Sequence, residues 1–361
     1  MAELLLELYS EEIPPQLQIG ARNQLKEFVE KPLKEDNIKY KDLLVYSSPT
    51  RLTLLIKDLA EKIKIEAKEV KGPKVGSPDQ VLQGFIKAKN VSEKDLIEKE
   101  TEKGKFYFIK TQPQLILVED LLVKIIPKAI SSINWKKSMK WSDHSLMWGR
   151  PLRSIFARFN NKKLLFKFDH LETTDEIIIE QDLTIKTRKI KDFKDYLSFL
   201  KSNKIIVNHQ EREEIILKKI NSFSQSKQYK EYLNPKLLEE VVNIVEDPNL
   251  LHVSFNKDYL KIPQEIIIST LEKHQRYFPI FDSRDRLTNY FFVVANKKDE
   301  KKLITQGNKR VVEARLADAK FFWDKDRSKN LIKQIANLKS VTFYEKLGTI
   351  YDKTQRLRQL A

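Results

Sequence analysis

No cysteine occurs in the 361 residues. Disulfides, thiolate zinc centres and cysteine nucleophiles are therefore excluded. Glycine is scarce, with 8 in the whole chain, and neither a G-x-x-x-x-G-K-[ST] loop nor a G-x-G-x-x-G turn is present to cradle a phosphate. H-E-x-x-H and G-x-S-x-G are missing as well. His144, His170, His209, His252 and His274 are scattered without metal-ligand spacing, so each reads as a surface or packing histidine and no metal ligand is expected. Adjacent carboxylates such as Glu11-Glu12 and Glu239-Glu240 point apart on a strand or a helix. No catalytic residue is expected in this chain.

No apolar run approaches the ~20 residues of a membrane-spanning helix, and no membrane partner is expected. The opening Met1-Ala2-Glu3 is acidic, with Glu7, Glu11 and Glu12 close behind, unlike the basic start of a secretory leader. A cytoplasmic location is the expectation.

What the chain has in excess is positive charge. Lys plus Arg is 67 against 51 for Asp plus Glu, a formal charge of +16. Such a surplus favours acidic partners, nucleic acid first, although a Lys-rich, Gly-poor bias also arises from AT-rich coding. Hydrophobic residues make up 41%, enough for sizeable cores, and the length suggests two or three domains.

Strand and helix patterns alternate irregularly. Leu4, Leu6 and Leu8 alternate with Glu3 and Glu7, the pattern of a half-buried strand. Pro14-Pro15 then opens a helix striped by Leu17, Ala21, Leu25 and Phe28. Residues 52–56 form another strand. Lys71-Gly72-Pro73 begins a breaker-rich link to a small helical segment over 81–97, and 106–110 reads as a short strand. Leu121, Leu122, Ile125, Ala129, Ile130 and Ile133 make a helical stripe that Pro127 should kink. Strands over 155–159 and 164–168 join through Asn160-Asn161 as a hairpin, and 176–188 adds more strand. Leu237, Leu238, Val241, Val242 and Val245 mark an amphipathic helix ended by Asp247-Pro248, and Ile266, Ile267 and Leu271 a second. Residues 290–295 suit a buried strand, and a long helix runs from about Val311.

The expected class is α+β, multi-domain, with small mixed sheets, packed helices and a long helical segment at the C-terminal end. The expected divisions are a strand–helix–strand unit over 1–70, a small helical and strand segment over 71–118, and a helix plus β-hairpin region over 119–190 that continues the first unit. A charged helical connector over 191–235, an α+β domain over 236–300 and a helical region over 301–361 follow.

Three segments carry candidate chemistry. In residues 135–153, three of the four tryptophans lie among Lys136, Lys137, Lys140, Arg150 and Arg153. Indoles can stack on bases while the cations contact phosphates; alternatively Trp135 and Trp141 anchor a core and the lysines are merely solvated. In residues 273–279, Lys273, Gln275 and Arg276 sit near a helix C-terminus, where cations also complement the helix dipole. In residues 307–322, Val312, Leu316, Ala319 and Trp323 form one helical stripe, beside Val311, Arg315, Asp318 and Phe322. An Arg315–Asp318 pair at the border of the buried face is the leading reading there, with nucleic-acid binding by Arg310 and Arg315 the other.

Together these segments resemble the beta subunit of bacterial glycyl-tRNA synthetase of the two-subunit type. The resemblance includes the opening Leu4-Leu5-Leu6-Glu7-Leu8-Tyr9-Ser10-Glu11-Glu12-Ile13-Pro14-Pro15, Pro49-Thr50-Arg51-Leu52, Lys71-Gly72-Pro73, Lys137-Ser138-Met139-Lys140-Trp141, Arg150-Pro151, the 274–279 and 307–322 segments, and Leu347-Gly348-Thr349 with Asp352-Lys353. It spans nearly the whole chain in family order. It implies that adenylate chemistry, with ATP and Mg, lies on an alpha subunit, and that this chain supplies contacts to tRNA(Gly) within an alpha2beta2 assembly. Two departures stand out: Thr50 replaces a second Arg, and a Gly-His-Arg-Phe segment is missing near 176–188. The family's subunit is also nearly twice as long, continuing into a helical HD-type domain and an anticodon-binding domain, towards which 301–361 is expected to lead. The alternative is a truncated or split fragment that acts only as an RNA-binding or scaffold module, or is inactive alone.

Overall fold

The computed structural model describes residues 2–65, 69–89, 91–102, 104–110, 114–181, 183–230 and 232–361. It is a mixed α+β structure that divides into two compact units, Met1–Asn203 and Lys204–Ala361. The division falls between two helices of the charged stretch 191–235.

In chain order the first unit runs β1 (Ala2–Ser10), α1 (Pro15–Glu35), β2 (Asp42–Ser48), β3 (Arg51–Leu59), β4 (Lys62–Ile65), β5 (Glu69–Lys74), α2 (Asp79–Lys89), β6 (Leu96–Thr101), β7 (Gly104–Lys110), β8 (Gln114–Leu117) and α3 (Val118–Ser132). It continues with β9 (Leu152–Phe159), β10 (Lys162–Lys163), β11 (Lys167–Phe168), β12 (Leu171–Thr174), β13 (Glu176–Gln181), β14 (Thr184–Lys189) and α4 (Phe193–Ser202). The main sheet has the order β11-β12-β9-β1-β3-β2, with β10 pairing β9. Leu4, Leu6 and Leu8 of the central β1 face a core shared with Leu17, Leu25 and Val29 of α1 and Leu122, Ile126 and Ile130 of α3.

The opposite face of β1 is not exposed, contrary to its alternating pattern. Glu7 is buried because Tyr196 of α4 donates to its carboxylate at 2.5 Å. The sequence places that helix so far along the chain that the strand's own pattern carries no sign of the cover.

The Asn160-Asn161 turn forms as expected. Both residues have left-handed φ, 48° and 60°, as a two-residue hairpin of type I′ requires. Its second arm is shorter than expected: β10 ends at Lys163, and residues 167–168 pair with β12 instead. Lys71-Gly72-Pro73 is not a link but part of β5, in a three-stranded sheet of order β5-β7-β6. The ladder shifts register between Lys71 and Lys74, which lets Pro73 sit without an N–H to offer. A Cβ at Gly72 would lie 2.7 Å from the Phe85 ring, so glycine gives α2 its close approach. The helix stops at Lys89, and Ile97 belongs to β6.

The second unit runs α5 (His209–Lys227), α6 (Pro235–Val242), β15 (Asn249–Ser254), α7 (Gln264–Ser269), β16 (Phe278–Phe281), β17 (Leu287–Ala295), α8 (Leu303–Arg327), α9 (Leu331–Gln334), β18 (Thr342–Tyr344), β19 (Gly348–Thr349) and α10 (Ile350–Leu360). Its main sheet, β15-β17-β16, is covered on both faces. Ile216, Ile220, Leu237, Leu238 and Val241 of α5 and α6 pack with Phe278 and Phe292. Ile267, Leu271, Val312 and Leu316 pack with Val253 and Phe291 on the other side. The helix expected to reach Asp247 ends at Val242; Val245 stays in the core from the following turn. The long helix starts at Leu303, earlier than its apolar stripe suggested, because Asp299 accepts from the backbone N–H groups of Ile304 and Thr305 and so caps the first turn.

Candidate nucleic-acid interface

Two of the three singled-out segments meet in the second unit. After α7 the chain widens into a π-turn, Thr270–His274. The Thr270 hydroxyl donates to the Ile266 carbonyl at 2.8 Å, a bond that competes with the regular helical ladder. Arg276 closes the turn with a left-handed φ of 58°. Lys273 and His274 are thereby left exposed, while Tyr277 turns inward and stacks on Phe291 with centroids 5.2 Å apart.

The Tyr277 hydroxyl donates to Asn308 Oδ1, and Asn308 Nδ2 donates to the Ile304 carbonyl at 2.7 Å. This links the end of the π-turn to α8. Burial pushes the Tyr277 phenol above its ordinary pKa, and the nearby Arg315 charge opposes that rise. Val312 and Leu316 of α8 are buried, and Arg310 and Arg315 are exposed. The expected Arg315–Asp318 pair does not form among the described residues. The i,i+4 contacts Lys320–Asp324 and Lys309–Glu313 form instead.

Beside this face an open cavity of about 520 Å³ is lined by Tyr259, Gln306, Lys309, Arg310 and Glu313. Lys309 and Tyr259 were not selected from sequence. Lys309 lay within the quoted segment, but Tyr259 sits in a separate short turn, Lys257–Lys261, far from that segment in sequence.

The cations differ in how far the fold already neutralises them. Arg276 Nε lies 3.0 Å from Glu240 Oε1. Arg153, in the first unit, lies 3.0 Å from Glu11 and 2.5 Å from Glu180. The half-buried Arg150 donates to the Gly149 carbonyl at 3.0 Å. By contrast Lys136, Lys137, Lys140, Lys273, Arg310 and Arg315 are exposed and have no ion-pair partner among the described residues. Gln275 is half-buried.

The tryptophans of 135–153 are placed differently from a base-stacking platform. Trp135 and Trp148 are buried, edge to face with centroids 4.8 Å apart, and the Trp148 indole N–H donates to Ser10 Oγ at 3.2 Å. They anchor the segment to the core, and the lysines between them stand in solvent. Trp141 alone of the three is half-exposed.

Residues 4–361 match the family model described as "Glycyl-tRNA synthetase beta subunit". The chain is 35% identical over 362 residues to the glycine–tRNA ligase beta subunit of Rickettsia peacockii strain Rustic, a match covering 100% of this chain and 54% of that protein. It is likewise 35% identical to the Rickettsia typhi beta subunit over 361 residues, again 100% of this chain and 54% of the relative. The chain thus spans about half the length of the curated relatives it matches. With the family model matching nearly every residue, the chain belongs to the glycyl-tRNA synthetase beta subunit family.

Proposed function

We propose that this chain serves as the tRNA-binding part of a glycine–tRNA ligase beta subunit. In this reading it supports ATP-dependent attachment of glycine to tRNA(Gly) in the cytoplasm. The adenylate-forming site, with ATP and Mg, lies on the alpha subunit of an alpha2beta2 assembly. The observation that carries the reading is the exposed set Lys273, Arg310 and Arg315 beside the π-turn and α8, without ion-pair partners among the described residues. Phosphate is the partner that such cations suit, and a +16 chain attracts it at long range.

The test is binding of tRNA(Gly) to the chain over a salt series. Affinity should fall steeply with salt, and Arg310→Glu with Arg315→Glu should weaken binding and flatten the log–log slope by about 2. Unchanged affinity and slope in that double variant would remove Arg310 and Arg315 from the interface. No binding to tRNA(Gly), with or without the alpha subunit, would defeat the reading.

The same exposed cations would equally suit a second reading, an RNA-binding or scaffold module without a part in ligation. Adding the chain to an alpha subunit and measuring glycylation separates the two. Stimulation supports the first reading, and tRNA binding without stimulation supports the second.

A further inference from the structure

The fold joins two histidines that the sequence sets far apart. His144 lies in the loop between Met139 and Trp148, whose backbones close on each other through N–H to O bonds of 2.8 and 3.2 Å. His170 stands beside Asp169 at the tip of the β11–β12 hairpin, where Phe168 faces Leu171. The two imidazoles are stacked, with centroids 3.5 Å apart and planes within 3°. Trp141 meets both edge-on, at 6.3 and 5.8 Å. Asp169 Oδ2 lies 2.7 Å from His170 Nδ1, and the Ser145 hydroxyl donates to Asp169 Oδ1 at 2.8 Å. One ligand atom from each of His144, Asp169 and His170 lies within 4.8 Å of the other two.

We propose that His144, Asp169 and His170 form a binding site for a divalent transition-metal ion of the zinc class. Two imidazoles and one carboxylate are a donor set that zinc, cobalt, nickel or copper takes readily, whereas magnesium and calcium prefer oxygen alone. A tetrahedral ion with bonds of about 2.1 Å holds its donors about 3.4 Å apart. Donors up to 4.8 Å apart therefore close by little more than an ångström, while Asp169 and His170, 2.7 Å apart, open slightly and exchange their mutual contact for bonds to the ion. Asp169 is exposed and both histidines are half-buried, so rotation of their side chains supplies that movement. The stacked rings splay as their lone pairs turn towards a common point. Ser145 stands behind the carboxylate and orients it, the supporting role such sites commonly use.

Three protein ligands leave a fourth position for water or an outside donor. The ion would fasten the 139–148 loop to the hairpin tip. Lys136, Lys137 and Lys140 lead directly into that loop, so binding would stiffen the segment that presents them. The site stands independently of whether the chain binds RNA.

The experiment uses the full 361-residue chain, stripped with chelator and titrated with cobalt(II), then zinc(II). The expected result is one equivalent of cobalt with visible ligand-field bands of tetrahedral or five-coordinate intensity, displaced by zinc, and a zinc-dependent rise in Tm. His144→Ala and His170→Ala should each weaken binding at least tenfold, and His274→Ala, an exposed histidine elsewhere, should leave it unchanged. Asp169→Asn, which keeps the shape of the hairpin tip, provides the variant for use if an alanine replacement unfolds the loop, and should also bind more weakly. Absence of an equimolar cobalt complex, or undiminished wild-type affinity in the His170→Ala and Asp169→Asn chains, would overturn the proposal.

Discussion

The position of Arg51 shows how much a single residue can hold. Its guanidinium lies 2.9 Å from Glu7, with both side chains 1% exposed, and it covers the Tyr9 ring at 4.8 Å. It also donates to the Ile178 carbonyl, joining β3 to β13. Tyr196 completes the cluster, donating to Glu7 and lying 2.9 Å from the Thr53 hydroxyl. Removing one partner of a buried ion pair leaves the other uncompensated. Arg51→Met should therefore destabilise the first unit by about 3–5 kcal/mol, measured by denaturant unfolding. Neighbouring Thr50 contributes through its backbone, its carbonyl accepting from Ser10 N–H at 2.8 Å. An arginine side chain is not required for that bond. Arg51 was legible as part of a motif, but its burial was not, because Glu7 and Tyr196 converge on it from distant segments.

Tyr196 gives the same cluster a pH signature. Burial first, and then the Glu7 charge, raise its phenol well above the ordinary value. Below about pH 10 the phenol is neutral both folded and unfolded, so its stabilising contribution is complete. Above that pH the unfolded chain ionises while the folded one does not, and stability falls as pH rises. Tyr196→Phe loses the bonds to Glu7 and Thr53, at a cost of about 1–3 kcal/mol near neutral pH. Its stability should then decline less steeply than wild type above pH 10, as unfolding midpoints in a pH series would show. Parallel decline in both chains would mean that Tyr196 does not titrate with unfolding.

At the scale of elements, patterns reported what packs but not what bends. The stripe of Val312, Leu316, Ala319 and Trp323 identified the buried side of α8, since helical spacing fixes which residues share a face. The π-turn at Thr270–His274 left no such trace. It accompanies a threonine bonding backwards and a left-handed Arg276, neither of which an apolar stripe records. The same limit applies to the tryptophans of 135–153: their sequence leaves open whether indoles stack on bases or Trp135 and Trp141 anchor a core, and packing makes Trp135 and Trp148 the core pair. Gly149 enforces that packing: a Cβ there would lie 2.6 Å from the Trp135 ring. Gly149→Ala should therefore cost about 1–3 kcal/mol through displacement of the indole, with a shift in tryptophan fluorescence alongside the lower Tm. An unaltered emission spectrum with unchanged stability would show that the ring has room to move.

On the scale of the whole molecule, each unit closes its own core. Leu4, Leu25 and Ile126 belong to one, and Val253, Phe291 and Leu316 to the other. Units with separate cores can unfold separately. Leu316→Ala removes a fully buried side chain and should cost the second unit about 2–5 kcal/mol. Differential scanning calorimetry should resolve two transitions, one lowered by Arg51→Met and the other by Leu316→Ala. Because Leu316 holds the helix that carries Arg310 and Arg315, the same variant should weaken the proposed tRNA binding near its lowered transition while Arg51→Met leaves that temperature range unaffected. A single transition displaced equally by both substitutions would instead mean that the two cores melt as one cooperative body, and damage to β1 would then release α8 as readily as damage to α8 itself.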